Sequence, residues 1–288
     1  MYSNKRNRWR EQAVHVLFFL SACASILAVG IICVFLFANG VPAMAKIGLF
    51  DFLLGKTWRP GNDIYGILPM ILGSIYVTAG AIVTGVPIGI LTAVFMAGFC
   101  PPKLYAMIKP AINLLAGIPS VVYGFFGLIV LVPAMSALFG GSGKSIATAS
   151  VLLGLMILPT IIGVSESAIR AVPGSYYEGA LALGASHERS IFFATLPAAR
   201  SGIMAGVILG IGRAIGETMA VIMVAGNQAS MPKGLFAGAR TMTANIVIEM
   251  GYAADLHREA LIATAVVLFV FILIINLSFS ILSRRSGA

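Results

Sequence analysis

Six long apolar runs divide this sequence, at 13–37, 66–97, 104–134, 146–168, 197–225 and 260–283. Each is as long as the roughly 20 residues an α-helix needs to cross the hydrocarbon core of a bilayer. No other feature restricts the fold so strongly. Inside that core the backbone has no water to bond, so each run must close its own hydrogen bonds as a helix. Composition agrees. Hydrophobic residues make up 59% of the 288 and charged residues 10%, against about 25% charged in a soluble domain. The expected fold is all-α: a polytopic membrane protein with six transmembrane helices.

The second and third runs exceed the thickness of a bilayer. Both hold prolines (Pro69 and Pro87; Pro110, Pro119 and Pro133), so kinks, tilt or flanking surface helices are expected to absorb the excess. The first run follows Lys5, Arg6, Arg8 and Arg10, and Ala43-Met44-Ala45 resembles a signal-peptide cleavage site. The run is too long for a signal h-region, so a retained helix with a cytoplasmic N-terminus is expected. Lys/Arg counting supports that orientation. Lys5, Arg6, Arg8, Arg10, Lys103, Lys109, Arg170, Arg189, Arg200, Arg284 and Arg285 fall inside. Lys46, Lys56, Arg59, Lys144, Lys233, Arg240 and Arg258 fall outside, where Asp51, Asp63, Glu249, Asp255 and Glu259 nearly cancel them. Both termini are placed in the cytoplasm. The excess of positive charge thus reads as topology and not as nucleic-acid binding.

Several chemistries are excluded. Cys23, Cys33 and Cys100 form no C-x-x-C pair, and His15, His187 and His257 have no ligand spacing, so neither a disulfide framework nor a metal site is expected. No cofactor is implied. Gly143-Lys144-Ser145 mimics the tail of a phosphate-binding P-loop, but position 138, where the pattern needs glycine, is Leu138. The segment also joins two spans. It reads as a Gly/Ser turn in which Ser145 caps the fourth helix, so the chain has no ATPase of its own. No paired carboxylates or Ser/His/Asp set suggests another enzyme.

The stretch 172–202, "VPGSYYEGALALGASHERSIFFATLPAARSG", is the most informative loop. Pro173-Gly174 breaks the preceding helix. Ser175 and Glu178 have the spacing of a capping box. Gly184 interrupts the new helix, Ser186 can cap a second one, and Leu196-Pro197 opens the fifth span. Tyr176, Tyr177, Phe192 and Phe193 lie beside charges at a water interface, which fits either a partner surface or interfacial anchoring.

The fifth span carries Arg213 and Glu217 near its centre, four residues apart. On a continuous helix that spacing puts them on one face. A lone charge at that depth costs at least about 2.5–3.5 kcal/mol, so a partner or water is required. Gly202, Gly206 and Gly210 share the face, an arrangement that lets a neighbouring helix approach closely. Gly212 and Gly216 form a second small-residue seam. Two readings stay open for Arg213 and Glu217. They are a buried pair fixing helix packing, or they line an anion path in which the planar guanidinium fork holds an oxyanion.

Glu178-x-Ala180-x-x-x-Gly184, followed after eleven residues by Leu196-Pro197, resembles the EAA loop of ABC-importer permeases. Two positions depart from the pattern: Gly179 replaces the usual second Ala, and Ala194 the usual Ile before Leu-Pro. In that family the loop docks on the ATP-hydrolysing subunit. Further stretches, "YGILPMILGSIYVT" at 65–78, "LLAGIPSVVYGFFG" at 114–127 and "GRAIGETMAVIMVAGN" at 212–227, resemble the phosphate-specific (Pst) importer permeases, the C-type subunit more than the A-type. The resemblance implies a type I ABC importer (MetI-like) core over 61–288 with its EAA coupling loop at 172–197. It sets apart 1–60 as a basic segment, a first helix and an external loop. It implies phosphate import and these partners: a homodimer of ATP-binding cassette subunits, a second homologous permease, an external phosphate-binding protein and membrane lipid, with no nucleic acid. Arg213 and Glu217 become substrate-path residues. Glu178, Ala180, Gly184, Leu196 and Pro197 become ATPase-coupling residues, and Gly202, Gly206 and Gly210 helix-packing residues. Import of another oxyanion (sulfate, molybdate or phosphonate) and an ion-coupled secondary transporter remain as alternatives. The 38–65 loop, with Phe50, Phe52 and Trp58, is a candidate either to meet the external protein or to lie on the membrane.

Overall fold

A computed structural model describes residues 5–285. The basic side chains of Lys5, Arg6, Arg8, Arg10, Arg284 and Arg285, used above for orientation, lie outside the described side chains. Helix α1 (Lys5–Ile47) runs unbroken through Pro42, so the first span outlasts the predicted end at 37. Then come α2 (Leu49–Leu54) and a small antiparallel hairpin, β1 (Trp58–Arg59) with β2 (Ile64–Tyr65). Trp58 faces Tyr65 across the hairpin, and Trp58 and Phe52 are both buried. Of the three aromatics offered as an external surface, only Phe50 remains exposed.

Helix α3 (Leu68–Val94) widens into a π turn over Phe95–Phe99. The third predicted span, 104–134, is corrected by the structure. It is two helices, α4 (Pro102–Gly117) and α5 (Ser120–Phe126), separated by Ile118 and Pro119 in extended conformation. Helix α5 continues through a π turn at Gly127–Leu131 into α6 (Val132–Phe139), so the membrane-length piece is Ser120–Phe139. The physical reason is Pro119, which lacks an N–H and drives the residue before it out of the helical region. Pro69, Pro133 and Pro197 sit in first helical turns, where the missing donor is harmless.

Helix α7 (Ile146–Arg170) matches the fourth predicted span. Beyond it lie α8 (Gly174–Ala182) and α9 (His187–Ser190), the latter leading through a π turn at Ile191–Thr195 into α10 (Leu196–Gly216). The fifth predicted span, 197–225, is also corrected. Its helix stops at Gly216, Glu217 is extended, and α11 (Met219–Val224) starts anew. Helices α12 (Met242–Glu249) and α13 (Asp255–Arg285) complete the chain.

The core is built around α7. From one side α3 presents Gly80, Gly85 and Gly89, where an added Cβ would meet Ser150 Oγ at 2.3 Å, the Gly154 carbonyl at 2.8 Å and Ile161 at 2.8 Å. From the other side α10 presents the predicted ladder. A Cβ at Gly202 would strike Ala168 at 2.4 Å, one at Gly206 would reach Ser165 Oγ at 3.0 Å, and one at Gly210 would reach Ile161 at 2.8 Å. Helix α7 is therefore the neighbour that the ladder predicts. The second seam has no such neighbour, since a Cβ at Gly212 or Gly216 would meet nothing within 4 Å.

The P-loop mimic is the expected turn. Ser145 caps α7 by accepting from the Thr148 amide. The amides of Ser145, Ile146 and Ala147 bond the carbonyls of Val224, Ala237 and Leu235, which pins the start of α7 to the neighbouring loop. The ladder yields a stability prediction. Gly202→Leu overpacks the α7–α10 contact and lowers stability by about 1–3 kcal/mol. Gly212→Ala should leave it unchanged. Thermal melting of the purified chain in detergent compares the two.

Candidate functional site

At the centre of the bundle two helices are interrupted, at Ile118–Pro119 and at Glu217–Thr218. Non-helical backbone at membrane depth persists only where protein or a water-filled cavity satisfies it. Discontinuous helices of this kind recur at transport sites. The two breaks belong to one neighbourhood. Gly124 of α5 lies against α11, where an added Cβ would meet Ala220 Cα at 2.9 Å and Met223 Sδ at 2.7 Å. Tyr123, Ala214 and Ala220 share one buried cluster.

Arg213 occupies the last turn of α10 and is half-buried. Its Nη1 donates to Thr160 Oγ1 of α7 at 3.2 Å. The pairing expected from the i, i+4 spacing is not made: among the described residues no ion pair joins Arg213 to Glu217. The helix ends between them, so the face they were to share does not exist. Glu217 turns to α11 instead, where its Oε1 accepts from the amides of Thr218 (3.2 Å) and Ala220 (3.3 Å). That is N-cap chemistry, a carboxylate at the positive end of a helix. Thr243 Oγ1 donates to the Glu217 carbonyl and fastens the break to α12. Arg213 is left with most of its five donors available at the edge of the break.

The 171–195 loop folds as expected in outline. Gly184 takes φ +85°, a left-handed conformation that glycine adopts without strain, and Ser186 caps α9 by accepting from the Arg189 amide. The capping box at Ser175 and Glu178 is corrected. Helix α8 starts at Gly174 with Pro173 at its N-cap and no side-chain cap, which leaves Glu178 exposed. A cavity of about 520 Å³ opens beside Gly184, lined by Ala180, Leu183, Arg189 and Phe193. Leu183 is 91% exposed and Phe193 77% exposed, with Arg189 above the Phe193 ring. The loop thus brings Ala180 and Gly184 together at the cavity, while Leu196 and Pro197 stand at the root of α10. Tyr177 and Phe192 are partly used inside the molecule. The Tyr177 hydroxyl meets His187 Nδ1 at 2.8 Å, and Phe192 packs on Phe99. His187 Nε2 lies 3.1 Å from the Gly98 carbonyl. A carbonyl only accepts, so Nε2 donates to it, and in the neutral imidazole Nδ1 accepts from Tyr177.

Two buried carboxylates escaped the sequence reading. Glu166 on α7 gathers Lys109, Arg170 and the Tyr105 hydroxyl. The hydrogen bond to Glu166 raises the Tyr105 phenol above its usual range. At the other end of the bundle Glu249 accepts from Trp58 Nε1 (2.8 Å) and Arg240 Nη1 (2.6 Å) and meets His257 Nε2 at 2.8 Å. Arg240 reaches on to the Asn227 carbonyl and Asn245 Oδ1. Beside them a cavity of about 560 Å³ is lined by Asp63, Tyr65, Tyr252, Asp255 and His257. Burial, and then the hydrogen bond it donates to Asp63, push the Tyr65 phenol up to about 12. Among the described residues no group of His, Cys, Asp and Glu has metal-binding geometry.

Residues 85–287 match the family described as binding-protein-dependent transport system inner membrane component. The chain belongs to that family. It is 37% identical over 289 residues to the probable ABC transporter permease protein YqgH of Bacillus subtilis (strain 168), spanning 96% of this chain and 93% of the relative. It is 35% identical over 276 residues to the phosphate transport system permease protein PstC of Mesorhizobium japonicum, spanning 88% and 84%. Two solved structures share the fold. A bacterial alginate ABC transporter superposes with a TM-score of 0.68 at 16% identity, over 97% of this chain and 98% of that chain. The MetNI methionine ABC transporter, inward facing, gives 0.62 at 18% identity, over 81% and 100%. The expected all-α core with six membrane-length helices is therefore the fold of this permease, a multi-pass protein of the inner membrane.

Glu249 ties the hairpin, α12 and α13 of the permease into one unit. Glu249→Leu strands the buried Arg240 guanidinium and the Trp58 N–H and should cost about 3–5 kcal/mol. The thermal midpoint in detergent measures that loss.

Proposed function

We propose that this permease is one transmembrane subunit of an ATP-driven importer of inorganic phosphate, forming half of the path and coupled to a separate pair of identical ATPase chains. A second, homologous permease completes the path, and an external phosphate-binding protein delivers the anion. One observation carries the reading: the Arg213 guanidinium, half-buried at a helix break, is bonded to a neutral hydroxyl and not to its neighbouring carboxylate. A guanidinium left free in this way can bind a tetrahedral oxyanion through two parallel N–H bonds. The phosphate permeases among the relatives favour phosphate as that anion.

Glu217 serves the same site from a distance. By capping α11 it keeps its charge off Arg213, so the guanidinium stays available to a passing anion. The excess of Lys and Arg on the loop side supports a cytoplasmic position for 171–195 and for both termini. There the cavity beside Gly184, with Leu183 and Phe193 at its rim, fits a docking surface for the ATPase. Glu178, Ala180 and Gly184 sit on or beside that surface, and Leu196 and Pro197 carry its movement into α10. The helix ladder Gly202, Gly206 and Gly210 keeps α10 against α7 while it moves. The apolar, exposed length of α1 faces lipid or the second permease.

Arg213→Gln should lower phosphate uptake by at least about tenfold, the equivalent of losing charged hydrogen bonds. The complex should still assemble, as scored by co-purification. Normal uptake would remove Arg213 from the path. Competition by arsenate but not by sulfate identifies phosphate against other oxyanions. Leu183→Asp should release the ATPase from the purified complex without disturbing membrane insertion.

A further inference from the structure

The cluster around Glu166 does not belong to the anion path, yet it stands between the path and the loop. Glu166 is 1% exposed and lies one turn before α7 ends at Arg170. Its Oε1 accepts from Tyr105 Oη at 2.7 Å and Arg170 Nε at 2.8 Å, and its Oε2 accepts from Lys109 Nζ. Arg170 also donates to the Met96 carbonyl at 2.8 Å and lies 4.5 Å from the Tyr105 ring centre. The Glu166 carboxylate thus ties α7 to α4, and its partner Arg170 ties α7 to the π turn that ends α3.

Each element leads somewhere. The loop that carries α8 and α9 starts at Ala171, directly after Arg170. Helix α4 runs from Tyr105 and Lys109 to the break at Ile118–Pro119. Helix α7 also carries Thr160, the residue bonded to Arg213. Otherwise α4 and α7 share one small apolar cluster, Ile108 and Ile112 against Leu158 and Ile162, with Met96. A buried ion pair is weak evidence for stability, because apolar residues of the same volume often serve as well or better. What the ion pair adds is direction, since its hydrogen bonds hold one geometry where greasy contacts would slide.

We propose that Glu166, with Lys109 and Tyr105, is the positioning joint that passes movement of the 171–195 loop to α4, and through α4 to the helix break beside the anion path. The joint rests on the importer reading above. Tyr105→Phe removes one hydroxyl and Lys109→Gln one charge. Both loosen α4 while leaving Glu166 bound to Arg170. They are tested in the complete importer, with its second permease, ATPase subunits and external binding protein, reconstituted in vesicles.

Two readouts decide the matter. The first is ATP hydrolysed per phosphate imported, which should rise about fivefold in Lys109→Gln, the size of a modest coupling free energy. The KM for phosphate should not change, and Lys109→Arg should return the ratio towards that of the natural chain. The second needs no transported substrate. Spin labels at Met107 on α4 and Ile274 on α13, both exposed, should change separation when ATP is trapped with vanadate, and Tyr105→Phe or Lys109→Gln should diminish that change. An unaltered ratio, with uptake and hydrolysis falling together or not at all, overturns the joint. So does a label displacement equal to that of the natural chain. Failure of the natural complex to import phosphate would strike the importer reading instead, and the label displacement would still judge the joint.

Discussion

Two helices lie on α7 at backbone distance, and that contact organises the permease. In lipid no hydrophobic force drives helices together, because the surrounding tails are as apolar as the side chains. Association depends on dispersion contacts and on polar groups that find partners. Glycines supply the first. Those on α3 meet Ser150, Gly154 and Ile161 of α7, and those on α10 meet Ala168, Ser165 and Ile161. Ile161 is touched from both sides. With α7 fixed in this way, its polar residues keep fixed addresses: Thr160 at the Arg213 guanidinium and Glu166 at the junction with α4.

The polar groups supply the second kind of contact, and the structure satisfies its carboxylates in different ways. Glu217 turns to backbone amides at the start of a helix. Glu166 collects a lysine, an arginine and a tyrosine. Glu249 collects an indole, an arginine and a histidine. Each solution leaves its carboxylate bound to several donors, as burial of a charge demands. Arg213 differs, with one bond to a hydroxyl. Its position at a break, where α10 has ended and α11 has not begun, gives it access that a mid-helix arginine would lack.

Much of this was legible in the residues, for physical reasons that also mark where reading stops. Apolar length gave the number of spans, because the bilayer imposes a fixed thickness, but not where the third begins or the fifth ends. The turn at Gly184, the cap at Ser186 and the opening of α10 at Leu196-Pro197 were legible because each rests on the chemistry of a few adjacent residues. Spacing rules failed where they assumed a continuous helix. Arg213 and Glu217 share a face only if α10 continues, and the extended backbone at Glu217 ends it. Ser175 and Glu178 form a capping box only if Ser175 is the N-cap, and the N-cap is Pro173. Glu166 was invisible for a different reason. Only its i,i+4 pair with Arg170 is local, and its partners Tyr105 and Lys109 are some sixty positions away in the chain. Pairing of that kind leaves no local pattern. A longer separation, 191 positions, hid Glu249 behind Trp58 and turned an assumed external aromatic into a core residue.

Broken helices give these separate features a common logic. A continuous helix moves as one rod, so a push at its foot tilts its whole length. An interrupted helix lets the half on one side of the break move while the other half stays packed. The chain has such interruptions at Pro119 and at Glu217, and both open onto the cluster that holds Tyr123, Ala214 and Ala220. Helix α7, unbroken through Pro159, supplies the fixed reference between them. Helices α4 and α10 are the halves on the loop side, one tied to the root of the loop by Glu166 and the other continuous with it at Leu196. Under the proposed joint, displacement of the loop would reach the neighbourhood of Arg213 from two directions, through α4 and through α10. Under the proposed function, an anion site at that seam would change its walls without dismantling the helices that keep it in the membrane.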